Sequence, residues 1–337
     1  MHEDLLAKRG FLFLDVHGDA SAQLGQIIRL RFPNTSYIYF DATDEQIPWG
    51  YNPLRKVSPS RHSLVVSNIL EIFERNWKSA WGAKMEHILR MVLLTLLQQP
   101  KANLSDILKL LHNDEYRKQC LLHIHQDTLR VFWEQEFVKY KASDLLPILN
   151  KVGSLLAHPI VKRILVDNCH SQISLRQIMD SGTILIINLA RGAIGSDVSN
   201  ILSGLLLTSL SSSAYSRIDT PEASRVPYGW YIDEFQVIAT NDLIAELLAQ
   251  VRKFGIFLIL SNQFFSQLNK EVRDSILGNV GTIVCFRLGI SDARLMEKEF
   301  YPIFRASDFT SLPNHSIYLR LMIDGTPSVP FSADTIL

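Results

Sequence analysis

Cysteine is scarce in this sequence. There are three, Cys120, Cys169 and Cys285, far apart and none in a C-x-x-C pair. That excludes a disulfide framework and a cysteine-built zinc site, and fits a reducing compartment. An excess of either charge is also absent, since 34 Lys and Arg balance 34 Asp and Glu. The balance gives no global pull on nucleic acid, although a local basic patch can hide in a neutral total. No apolar run approaches the ~18 residues needed to span a bilayer. The N-terminal "MHEDLLAKRG" lacks the apolar stretch of a signal peptide, so the expected setting is cytoplasmic. There is no internal repeat, no low-complexity tract and no basic–aromatic interleaving of the kind that marks a nucleic-acid groove. Finally, no glycine-rich loop of the form G-x-x-x-x-G-K-[ST] occurs in the 337 residues.

What is present suits a large globular core: hydrophobic residues make up 47% and charged residues 20%. "EDLLAK" has helical spacing, and Gly10 is expected at its C′ position after Lys8 and Arg9. "FLFLD" and "TSYIYFD" are short apolar strands, followed by the Pro- and Gly-bearing loop "IPWGYNPL". From about Ser60 to Ser171 the pattern becomes helical throughout, as in "SLVVSNILEIFERNW" and "KMEHILRMVLLTLL". "HIH" at His123–His125 reads as ordinary histidines, because alternate residues do not share a helix face. From Gln172, strands and helices alternate. "GTILIINLA", "YGWYIDEF", "IFLILSNQ" and "GTIVCFRLG" are strands, and "HSIYLRLMIDG" is a late strand expected on an edge. The expected fold class is α/β, a mostly parallel sheet with helices on both faces, interrupted by an all-helical insertion. The expected boundaries are 1–57 for the first part of the core, 58–171 for the insertion and 172–337 for the rest.

Ligands of open α/β sheets sit at the carboxyl ends of strands. Asp15, His17 and Asp19 follow "FLFL", Asp233 and Glu234 follow "GWYI", Gln263 follows "IFLILSN", and Arg191 follows "ILIINLA". Mg²⁺ on a triphosphate keeps several waters and takes few carboxylates. In such a site Asp233 would accept hydrogen bonds from those waters and Glu234 would polarise the attacking water. Gln263 would contact the γ-phosphate or the same water. Asp233 and Gln263 are thirty residues apart, one β-α-β step, so neighbouring strands would carry them. The competing reading is local: the acids cap the next helix, Gln263 is a loop residue and "DVHGD" is a turn.

The motif order resembles the HerA/FtsK superfamily of P-loop ATPases, and more narrowly the TraG/TraD-type coupling proteins of type IV secretion. The residues that carry the resemblance are "GFLFLDVHGD", "YIYFDATDEQIPWGYNPL", "SAWGAKMEHILR", "NLARGAIGSDVSNILSGLLL", "GWYIDEFQ", "LAQVRKFGIFLILSNQ" and "GNVGTIVCFRLGISDA". It implies a RecA-like core. Asp233 and Glu234 match the Walker B acids, with Asp233 the metal-associated one, and Gln263 matches the γ-phosphate-sensing Gln. Asp15, His17 and Asp19 would lie beside the nucleotide. ATP and Mg²⁺ are the implied cofactors. The implied partners are DNA, further copies in a hexameric ring, and secretion-system proteins. Arg252 and Arg287 are the candidates by position for an arginine acting on a neighbour's site, with Arg191 and Lys84 behind them. For each of these the alternative is a surface ion pair.

In that family the phosphate loop opens a helix that runs into the "DVHGD" strand, and its Lys and Ser/Thr have no counterpart here. The expectation is an N-terminally shortened ATPase core that binds ATP weakly alone, cytoplasmic or held at the inner face of the membrane by a preceding segment or a partner. The rival is a non-hydrolysing protein that keeps the fold for assembly or partner recognition.

Overall fold

The computed structural model of the chain describes residues 1–168, 173–238 and 241–335. Cys169 and the expected 171/172 boundary lie outside the described residues. The strands are β1 (Phe11–Asp15), β2 (Tyr37–Asp41), β3 (Ile184–Asn188), β4 (Tyr228–Ile232), β5 (Ile256–Leu260), β6 (Ile283–Cys285), β7 (Ser316–Arg320), β8 (Met322–Ile323), β9 (Thr326–Pro327) and β10 (Phe331–Asp334). Helices α1 (His2–Leu6) and α2 (Asp19–Arg31) flank β1. A helical stretch follows: α3 (His62–Asn76), α4 (Ala83–Leu97), α5 (Asp106–His112), α6 (Asp114–Leu121), α7 (Asp127–Val131), α8 (Ala142–Ala157) and α9 (Pro159–Lys162). Then come α10 (Leu175–Ser181), α11 (Arg191–Ile194), α12 (Ser196–Tyr215), α13 (Phe235–Ile238), α14 (Asn241–Gln250), α15 (Lys270–Asn279), α16 (Ile290–Glu299) and α17 (Ala306–Thr310). The chain divides into two compact units: Met1–Thr240 with Lys253–Ser261, and Asn241–Arg252 with Asn262–Leu337.

In the first unit β1 to β5 form one parallel sheet in the order β2-β3-β1-β4-β5. Every residue of β1 and β3 is buried, as the continuous apolar runs require of strands covered on both faces. Phe11, Phe13, Ile184 and Ile186 pack with Leu24 and Ile28 of α2 on one face. Leu185 and Ile187 of the opposite face line a small apolar cavity together with Leu175 of α10 and Leu206 of α12. The connection from β1 runs to β2 on one side, and that from β4 runs to β5 on the other. The topological switch point is therefore between β1 and β4, where an open sheet forms its ligand crevice.

α12 is buried almost all round rather than along one side. Two of its buried serines return their hydroxyls to the helix: Ser203 Oγ donates to Ser199 O at 2.6 Å and Ser211 Oγ to Leu207 O at 2.8 Å. Gly204 lets α3 approach, since a Cβ there would stand 3.1 Å from Ile72. All of the described secondary structure from 59 to 167 is helical.

Three expectations are corrected. Gly10 is not the C′ residue of the first helix; Lys8 is, at φ +52. Gly10 is needed instead for a close approach, because a Cβ there would lie 2.5 Å from the Gly182 backbone. "TIVCF" does not join the parallel sheet: β6 pairs antiparallel with β7 in a second sheet ordered β10-β7-β6. "SIYLR" (β7) is the centre of that sheet, not an edge. Its side chains pack a core that periodicity alone could not assign, in which Tyr318 stacks on Phe304 with ring centroids 3.8 Å apart and meets Phe309 edge-on. Among the described residues no helix is long and apolar enough to cross a membrane.

Candidate functional site

The carboxyl ends of β1, β3 and β4 carry an interlocked set of turns. Asp15 ends β1 and is 1% exposed. Its Oδ1 accepts the N–H groups of His17 (2.8 Å) and Gly18 (2.9 Å), and its Oδ2 accepts that of Ser21 (2.8 Å). Gly18, at φ +100, makes this possible, and Ser21 Oγ closes back on Gly18 O at 2.8 Å. Asp15 thus satisfies backbone donors at the start of α2 that would otherwise be orphaned. The exposed side chains of the motif are those of His17 and Asp19.

Asn188 stitches the neighbouring turns together. Its Oδ1 accepts the Ala190 N–H at 2.9 Å, and its Nδ2 donates to Asp41 Oδ2 at 3.2 Å. A Cβ on Gly18 would come 2.7 Å from Asn188 Oδ1, so glycine is required by space as well as by φ. Ala190 sits in the left-handed region at φ +37, and the Arg191 N–H donates to Val16 O at 2.8 Å. Arg191, half-buried, is therefore carried beside the "DVHGD" turn.

Asp233 and Glu234 follow β4. The Asp233 N–H donates to Leu14 O at 3.0 Å, which ties the turn to β1. On the other side Ser261 N–H donates to Ile232 O (3.1 Å) and Phe235 N–H to Ser261 O (3.2 Å). The Ser261 hydroxyl donates to Asp233 Oδ1. Glu234 is 8% exposed and adopts φ +48, and its Oε2 accepts from Gln236 Nε2. A left-handed glutamate costs about 1 kcal/mol, and such backbone strain collects at functional sites. Among the described residues neither carboxylate accepts an N–H of α13, and the Glu234 carbonyl accepts that of Val237 at 2.9 Å. Arg75 of α3 donates to the carbonyls of Gln236 and Val237 at 3.3 and 3.4 Å, which brings the helical stretch onto this turn.

β4 and β5 are parallel neighbours, with Ile232 opposite Leu260. The residue this register sets against Asp233 is Ser261, which strand patterning did not single out. The signal was there in "IFLILSNQ", where Ser261 directly follows the strand. Gln263 comes two residues later, is exposed and belongs to the second unit. Arg252 and Arg287 are exposed, and among the described residues neither forms an ion pair. Lys84 does, with Asp144 at 2.8 Å, which accounts for it as a surface contact. Among the described residues no group of three or more His, Cys, Asp or Glu is placed to hold a metal by itself. The donor set at the β4 end, two carboxylates without a cage, suits an ion that keeps its waters and takes its remaining ligands from phosphate.

Residues 177–300 match the family model of the type IV secretion-system coupling protein DNA-binding domain. The fold is that of the bacterial conjugative coupling protein TrwBdeltaN70, with a TM-score of 0.68 at 13% identity, covering 99% of this chain and 80% of that one. The plasmid coupling protein TrwB in complex with ADP and Mg²⁺ gives 0.68 at 14% identity over the same shares. VirB4 of Thermoanaerobacter pseudethanolicus gives 0.64 at 11%, covering 99% of this chain and 83% of that one. No curated protein matches. The chain has the fold of TrwB and VirB4, and residues 177–300 of it match the coupling-protein domain model.

Proposed function

We propose that this chain, which has the coupling-ATPase fold, supplies the acidic side of a Mg–ATP site and serves an ATPase that moves DNA in conjugative transfer. Residues 1–57 and 172–337 form the core in this reading, and 58–171 the insertion. The observation that carries it is Glu234, a buried carboxylate in a strained turn at the end of β4, beside the switch point.

Mg²⁺, when bound, neutralises phosphate charge. Asp233, steadied by Ser261, would hold the ion through its waters. Glu234 takes the proton of the water that attacks the γ-phosphorus as the bond to the ADP oxygen breaks. Gln263 contacts the γ-phosphate or that water. Asp15 shapes the turn that presents His17 and Asp19 beside the nucleotide. Arg252 or Arg287 of a neighbouring copy in a ring neutralises charge in the transition state.

A phosphate loop gives a triphosphate backbone N–H donors, a helix-end dipole, a Lys and a Mg²⁺ ligand. None of the 337 residues forms one, so these residues alone bind ATP weakly. Two measurements test the reading. Titration of the chain with labelled ATP and Mg²⁺ is expected to show weak binding, and tight binding contradicts the importance assigned to the loop. In a version extended by a strand, a G-x-x-x-x-G-K-[ST] loop and the start of its helix, ATP is hydrolysed, and Glu234→Gln abolishes turnover while sparing binding. Undiminished turnover in that variant sinks the assignment of Glu234. Absence of turnover in the extended parent, with ATP bound, favours the rival, a non-hydrolysing protein that keeps the fold for assembly.

A further inference from the structure

Asp292 is a buried acid that the ATPase reading leaves unused. It lies in the first turn of α16 and is 4% exposed. Its carboxylate accepts two successive backbone donors from a distant part of the chain: Phe265 N–H at 3.1 Å on Oδ2 and Ser266 N–H at 2.7 Å on Oδ1. A buried carboxylate is costly unless its oxygens are filled, and these two donors together with the N-terminal dipole of α16 fill that need. The segment so held begins two residues after Gln263.

The rest of the segment is secured in the same unit. Residues Phe265–Gln267 form a single 3-10 turn. The Phe265 ring packs against the cluster of Cys285, Ala293 and Met296. Arg273 Nη1 donates to Ser266 O at 3.3 Å, and Asn269 Oδ1 accepts the Val272 N–H at 2.8 Å to start α15. Gln263 itself is exposed. The loop is therefore held just beyond Gln263 by the buried Asp292 carboxylate, while the Gln263 side chain is exposed.

We propose that Asp292 is a positioning residue for Gln263, fixing through the Phe265 and Ser266 amides the loop from which that side chain acts. The proposal rests on the reading of Gln263 as the phosphate-contacting residue. Neutralising or removing the carboxylate loosens the loop without disturbing the core of the second unit, because Ala293, Met296, Phe300 and Phe309 hold that core by apolar packing.

The test is amide hydrogen exchange on the chain as it stands, in wild type, Asp292→Ala and Asp292→Asn. Asp292→Ala speeds exchange at Phe265 and Ser266 at least about tenfold, while the amides of α15 and α16 keep their protection. Asp292→Asn retains one acceptor oxygen and restores part of it. Unchanged exchange in Asp292→Ala, or an increase spread evenly over α15 and α16, overturns the tether. In the extended, hydrolysing version, Asp292→Ala lowers kcat with little change in KM, and adds nothing to the loss caused by Gln263→Ala. Full turnover in Asp292→Ala despite faster exchange refutes the positioning role. If Gln263→Ala itself turns over normally, the reading of Gln263 fails, and it fails separately from the exchange result.

Discussion

The Ser261 hydroxyl donates to the Asp233 carboxylate and so joins the ends of two neighbouring parallel strands. This bond orients the side chain proposed to hold the Mg²⁺ ion through its waters. Ser261→Ala removes about 1 kcal/mol of orientation. In the extended, hydrolysing version it is expected to lower turnover roughly fivefold with little change in the urea midpoint. Steady-state kinetics beside an unfolding curve check this, and turnover equal to the parent's would show that the bond has no part in catalysis.

Asp15 and Asp19 flank the same turn but differ in what they hold. Asp15→Ala leaves three backbone donors without their acceptor and is expected to cost about 2–3 kcal/mol. Asp19 is exposed, and Asp19→Ala is expected to stay within about 0.5 kcal/mol of the parent. Urea denaturation of the two variants separates a scaffold acid from a surface one, and equal midpoints would contradict the division.

Gly10 and Gly182 make a matched pair of glycines with different reasons. At Gly10 a Cβ would collide with backbone at 2.5 Å, whereas at Gly182 the nearest atom is 3.8 Å away and the obstacle is φ +67. Gly10→Ala is expected to cost about 3 kcal/mol, because two stretches of main chain must part. Gly182→Ala is expected to cost about 1 kcal/mol. Chemical denaturation gives the order, and a reversed order would mean that β1 shifts freely against the turn before β3.

Burial, with the Asp292 charge second, pushes the Cys285 thiol up from 9.0 to about 12. The unfolded chain therefore releases this proton at lower pH than the folded one. The contribution of neutral Cys285 is whole below pH 9.0 and is lost as pH rises toward about 12. By pH 10 the parent should have lost about 1 kcal/mol more than Cys285→Ala. Urea midpoints of both proteins at pH 8 and pH 10 provide the comparison, and parallel losses would exclude the linkage.

Much of the molecule was legible in the residue order. Runs such as "FLFLD" and "ILIIN" form the buried central strands their continuous apolar character suggested, and the helical spacing from Ser60 onward holds in the folded chain. The acids at the end of "GWYI" stand where strand-end reasoning put them. These features depend on period and on the chemistry at an element's end, which are local properties. Tertiary structure alone decided the rest. It set the order β2-β3-β1-β4-β5, moved β6 into an antiparallel sheet, gave Gly10 to a backbone contact and Asp15 to its own turn, and aimed Ser261 at Asp233. Each of these is a pairing between residues far apart in the chain. A pairing is selected by the burial and hydrogen-bond satisfaction of both partners together, and neither partner's local pattern contains it.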